Sequence, residues 1–140
     1  MSERKMVLRR VIVALAVAIT VVVLAAVVQS VLWLNQKGHA ETTVTRMARL
    51  ETFLVAFQPA DTTVTSLAEL AKREHYGLDF RDGWGHEFAV SAASGPNGRY
   101  IYTVRSFGRD GQPGPCCSGF LRGQWDQDAV LSNGRWLQAW

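Results

Sequence analysis

The sequence predicts an α+β fold: a long N-terminal helix, a short second helix, and a small antiparallel β-sheet with an irregular C-terminal loop. Three observations point there. An apolar run opens the chain, a helical stripe of apolar residues continues beyond it, and near Phe88 the period changes from helix to strand. Runs of helix followed by runs of strand indicate α+β.

The apolar run comes first. Val11 to Val28, VIVALAVAITVVVLAAVV, is 18 residues interrupted only by Thr20. Past Gln29 and Ser30 it resumes at Val31, Leu32, Trp33 and Leu34. As a helix, Val11 to Leu34 would be about 36 Å long at ~1.5 Å per residue. A bilayer core is about 30 Å thick, so this segment spans it with some tilt. Trp33 falls near the far interface, where an amphipathic ring is favoured. Arg4, Lys5, Arg9 and Arg10 precede the run and only Glu3 opposes them. Positive residues stay inside, so residues 1–10 are expected in the cytoplasm, 11–34 across the membrane and 35–140 outside it. The alternative is a cleaved signal peptide, with Gly38-His39-Ala40 as a small-x-small site. A signal's apolar region is usually about 7–15 residues, shorter than this one, which favours an uncleaved anchor.

The charge balance follows from the same segment. Of 15 basic and 12 acidic residues, four and one lie before Asn35, leaving eleven of each after it. The whole excess belongs to the anchor, and no basic patch remains for nucleic acid.

Beyond the span, ETTVTRMARLETFLVAFQ carries Val44, Met47, Leu50 or Glu51, Leu54 and Phe57 at helical spacing. Met47, Leu50, Leu54 and Phe57 share one stripe. No proline stands between Leu34 and Pro59, so one long helix is expected, ended by Pro59. Gly38 is its weak point, costing about 1 kcal/mol against alanine. Ser66 and Glu69 form an S-x-x-E capping box for a second helix, with Gly77 as its stop and Leu67, Leu70 and Ala71 facing the first. HEFAVS and RYIYTVRS then alternate like half-buried strands, joined through AASGPNG. In AVLSNGRWLQ, Asn133-Gly134 lies between apolar stretches, the strongest short hairpin signal. Trp84, Phe88, Tyr100, Tyr102, Trp125 and Trp136 are the aromatic candidates for one modest core.

Two blocks carry a family resemblance. DGWGHEFAV, Asp82 to Val90, and YTVRSFGRDGQPG, Tyr102 to Gly114, follow this helical half in order, and DQDAVLSNGRW follows them. In that order they resemble the major pseudopilin of type II secretion systems and related type IV pilin-like proteins. Glu87 stands for the family's proline, Val90 for its tyrosine, Pro115 for its second glycine and Ala129 for its isoleucine. The family's processing signal, a glycine before an apolar run with a glutamate at its fifth position, is missing: VLRR precedes the run, which holds no glutamate.

The resemblance implies a structural role and no catalysis: a subunit held in the inner membrane with its C-terminal domain in the periplasm. Its partners would be the membrane and other pilin-like subunits or secretion-machine components, with no small-molecule substrate. A second reading keeps the fold in a monomeric envelope sensor or binding domain that does not polymerise. The resemblance also implies a calcium site in the C-terminal loop. Asp110 would be its first carboxylate and Asp128 its second, with the carbonyls of Phe107 and Gln112 as neutral ligands and Asp126 in reserve. Calcium takes about 6–8 hard oxygens in a tolerant geometry, and glycines free a loop to turn its carbonyls inward. Against this, Asp110-Gly111 is also an ordinary turn dipeptide, and Asp126 and Asp128 serve equally as solvated charges or turn caps.

Cys116 and Cys117 are adjacent, in a compartment expected to be oxidising. Neighbouring Cα atoms lie about 3.8 Å apart, below the usual disulfide range, so a vicinal bond would be strained. Reduced thiols, pairing between two chains and a vicinal bond all remain open. C-x-x-C spacing is absent, which argues against thiol catalysis. His39, His75 and His86 lack metal-ligand spacing. Trp84 reads as a core anchor between two glycines, and Trp140 as an exposed contact residue. The chain has no G-x-S-x-G, Walker or H-E-x-x-H motif.

Overall fold

A computed structural model describes residues 3–114 and 125–138 of the chain. Its elements are α1 (Glu3–Phe57), α2 (Val64–Arg73), β1 (Ala89–Ser94), β2 (Tyr100–Ser106), β3 (Ala129–Ser132) and β4 (Arg135–Gln138). The fold is α+β, as the sequence predicts. It divides into two compact units, Met1–Gln36 and Lys37–Trp140.

The first unit is helical, and every described side chain from Val7 to Asn35 is exposed. By length and composition the helix is apolar enough to cross a membrane, as an anchor or as a signal. A helix hydrophobic all round needs an apolar surrounding on every side. The hydroxyls of Thr20 and Ser30 donate back to the carbonyls of Ala16 and Ala26, each at 2.9 Å. Both are therefore satisfied within the helix, as the interior of a bilayer requires.

The second unit is built on a four-stranded antiparallel meander in the order β1-β2-β3-β4. Its core joins Met47, Leu50, Phe53 and Leu54 of α1, Leu67 and Ala71 of α2, and Phe88, Tyr102, Val104, Ala129 and Leu131 from the sheet side. Thr43, Met47, Leu50 and Leu54 recur at helical spacing and are fully buried. Phe57 belongs to the edge of this stripe: it stays exposed and meets Phe53 at 4.9 Å and Tyr76 at 6.0 Å. Phe53 takes the interior place instead.

The helix ends differ in detail from the reading of the sequence. α1 closes at Phe57, and Gln58 takes a left-handed φ of 47° just before Pro59. The Gln58 amide oxygen then accepts from the Tyr100 N–H at 2.9 Å, tying the helix end to β2. α2 begins one turn earlier than the Ser66 box, with Thr63 as its N-cap. Ser66 instead donates its hydroxyl to Asp61, at 2.6 Å. At the other end the left-handed residue is His75, with φ 57°, and Gly77 is not needed for it.

The β1–β2 ladder runs from Ala89↔Arg105 to Ser94↔Tyr100, so Ala92, Ala93 and Ser94 extend the strand into the expected connection. A short 3-10 turn, Pro96–Gly98, closes it. Between β3 and β4, Asn133 and Gly134 have φ of 49° and 73°, the pair of positive values a tight two-residue turn requires. Glu51 of α1 is buried and accepts from the Gly134 N–H at 2.5 Å, pinning that turn to the helix. Of the aromatic candidates, Phe88 and Tyr102 are interior. Trp84 and Trp125 are half-buried and Trp136 is exposed.

Candidate functional site

The polar groups of the second unit concentrate where the two family-like blocks meet. Residues 80–88 fold back on themselves, with the Asp82 N–H donating to the His86 carbonyl at 2.7 Å and Phe88 to Phe80 at 2.9 Å. This turns the Asp82 carboxylate inward, where it is 1% exposed. One of its oxygens accepts from the N–H groups of Trp84 and His86, both at 2.9 Å. The other accepts the Ser106 hydroxyl proton at 2.8 Å. Ser106 ends β2 and itself accepts from the Gly108 N–H at 3.3 Å. His86 donates from Nδ1 to the Gly108 carbonyl at 3.0 Å, which fixes its tautomer because a carbonyl can only accept. Asp82, His86, Ser106 and Gly108 thus form one clasp between the first block and the second.

The same loop is fastened to α1. His39 donates from Nδ1 to the Gly83 carbonyl at 2.6 Å, and the Thr43 hydroxyl accepts from the Gly83 N–H at 2.7 Å. A Cβ at Gly83 would lie 2.1 Å from the His39 carbonyl oxygen, so no larger residue fits without backbone movement. Arg46 reaches the carbonyls of Arg81 and Asp82, both at 3.0 Å, and the Asp79 carboxylate at 2.9 Å. Trp84 rests beside His39, with ring centroids 5.9 Å apart. It anchors the loop to the helix rather than filling the deep core.

Past β2 the chain turns at Gly108, which has φ 70° and no room for a Cβ against the carbonyls of Trp125 and Gln127, each 2.6 Å away. Arg109 donates its N–H to the Trp125 carbonyl at 2.7 Å. Its guanidinium meets Asp126 through two bonds of 2.7 Å, and this pairing raises the Arg109 pKa above its ordinary value. Asp128 is fully buried, and Arg105 donates to it from Nε at 2.6 Å and pairs with it again through Nη2. Arg105 also donates to the Gly114 carbonyl at 3.0 Å, while the Gly114 N–H points back at Asp128 from 3.2 Å.

The expected calcium ligands can be placed against this network. Asp128 lies beside the loop, but its carboxylate is engaged by Arg105 and the Gly114 N–H. Asp126 is exposed and held by Arg109. Asp110 is exposed and accepts from the Gln112 N–H at 3.0 Å, an ordinary turn within its own loop. Phe107 lies beneath Arg105, its ring centroid 5.6 Å from the guanidinium carbon. Among the described residues, no three Asp, Glu, His or Cys side chains converge as a metal cluster. Among the described residues, Arg105 holds Asp128, the second expected carboxylate, Arg109 holds Asp126, the reserve, and Asp110, the first, closes its own turn, so as placed these side chains do not converge on a calcium ion. Cys116, Cys117 and Trp140 lie outside the described residues.

Ser106, Asp82 and His86 are the residue types of a hydrolase triad, but their order differs. The serine hydroxyl donates to the aspartate rather than to the histidine, and it is fully buried. A nucleophile needs the base on its own proton and a face open to substrate. Elsewhere, an open groove of about 480 Å³ runs between the end of α1 and the 96–101 segment, lined by residues such as Val55, Gln58, Arg99 and Tyr100.

Sequence reasoning missed Arg105, Ser106, Glu51 and the His39–Thr43 pair as organising residues. The signal for the clasp was present: a buried aspartate in DGWG and a serine in SFG only gain meaning as partners. Compared with known proteins, the chain matches no family model, no curated protein and no solved structure. The long apolar helix followed by a small four-stranded antiparallel sheet is nonetheless consistent with a pilin-like fold.

Proposed function

We propose that this chain is a membrane-anchored, pilin-like structural subunit of a type II secretion or pilus-like envelope assembly. In this reading the N-terminus lies in the cytoplasm, the helix crosses the inner membrane and the folded unit works outside it. The observation that carries the reading is the pairing of two features: an apolar helix exposed on every side, and a folded unit whose buried polar groups hold loops in place. Asp82 and Ser106 are fully engaged with protein partners, which suits positioning rather than turnover. The groove beside α1 favours a second reading, an anchored binding domain that keeps the fold without polymerising.

Cross-linking in living cells separates the two readings. Helices in a bilayer associate by close packing of small residues. Ala14, Ala18 and Ala25 are therefore replaced one at a time by isoleucine. A subunit that assembles through this helix loses helix-to-helix cross-links in at least one variant. Unchanged cross-linking in all three defeats assembly through the anchor.

A further inference from the structure

We propose that Arg105 is a built-in replacement for a loop cation, so that Gly114 and Asp128 are held together without calcium. Three geometric facts carry this. The Arg105 guanidinium reaches the Asp128 carboxylate, which follows the loop in sequence, and the Gly114 carbonyl, which belongs to the loop. Those are the two ligand types, carboxylate and carbonyl, that a calcium ion would draw together at such a place. Asp128 has no exposed surface, and among the described residues Arg105 is the cation that meets it, beside the Gly114 N–H. Asp126, the reserve candidate, is paired at the surface with Arg109.

The physical consequence concerns availability. A guanidinium is charged at every physiological pH and is tethered to β2, so it needs no ligand concentration to occupy its place. Its planar fork satisfies a carboxylate and a carbonyl at once, which a point charge on a flexible stem does less well. A calcium ion brought to the same carboxylate would meet an existing positive charge. Arg105 also stacks on Phe107, which limits how far it can swing away. The described part of the loop at Gly114 is therefore clipped to β2 and to the residue before β3 by Arg105 and Asp128.

The test uses the full-length chain in detergent micelles, with melting followed by tryptophan fluorescence. Any ligand that binds only the folded state raises the midpoint. The wild-type midpoint should change by less than about 1 °C between millimolar calcium and excess EGTA. Arg105→Met should melt about 10 °C lower, because it strands a buried carboxylate. Arg105→Met combined with Asp128→Asn should recover most of that loss, which a merely packing role for Arg105 would not produce. A clear rise in the wild-type midpoint with calcium overturns the proposal. So does an Arg105→Met protein that melts like wild type. If Arg105→Met yields no cooperative transition, the wild-type comparison with and without calcium decides the matter alone.

Discussion

Replacing Asp82 by alanine tests the clasp that joins the two loops. Three donors, the N–H groups of Trp84 and His86 and the hydroxyl of Ser106, would lose a charged acceptor in a place water does not reach. A hydrogen bond to a charged group contributes ~1.5–3 kcal/mol, and an unpaired buried donor costs about as much. The three share one acceptor, so their losses do not add. The expected cost of Asp82→Ala is about 3–5 kcal/mol, near the upper end for single substitutions. In a folded unit of this size that lowers the melting midpoint by at least about 12 °C. Asp82→Asn is the informative partner. Its carbonyl oxygen can keep both backbone N–H bonds, and its amide can donate to Ser106, so the loss should be only about 1–2 kcal/mol. Urea unfolding of the detergent-solubilised chain, with a shared slope for all variants, reads both values. The reasoning fails if Asp82→Ala lies within about 1 kcal/mol of wild type, or if the two variants cost the same.

Two further substitutions test other joints. Gly83→Ala should destabilise by about 2–3 kcal/mol or more, because its Cβ would strike the His39 backbone, while Gly77→Ala, facing open space, should lie within about 0.5 kcal/mol of wild type. Equal midpoints for the two would remove the close approach from the account. Asp61 has its pKa lowered below 3.8, first by the Ser66 hydroxyl and then by the Thr63 N–H. A lowered folded-state value contributes stability above the unfolded pKa, and that contribution is lost as pH falls through the folded value. Asp61→Asn should therefore lower stability near neutrality and flatten its decline as pH falls through the carboxylate range. An unchanged acid profile contradicts the capping role.

Much of the architecture was legible because each element announces itself locally. The stripe through Met47, Leu50 and Leu54 needs only helical periodicity, and Asn133-Gly134 needs only the twist of a hairpin. Phe53 was harder, since it sits beside the stripe and is drawn in by α2 and Tyr76. The start of α2 was misplaced because Thr63 and Ser66 are both good caps, and Asp61 decides between them by taking the Ser66 hydroxyl. The loop chemistry was less legible still. Carboxylates around a glycine-rich turn look alike whether they face a metal or an arginine. Arg105 and Asp128 are partners only through the β2–β3 ladder, where Arg105 pairs with Val130 and Ser106 with Ala129. No local pattern announces a contact across 23 residues.

The measurement that bears most directly on the anchored-subunit account is the intact mass of the protein extracted from membranes. The account predicts a species near the full 15.5 kDa, retained in the membrane fraction after an alkaline wash. A freely soluble species trimmed near Ala40 would contradict it.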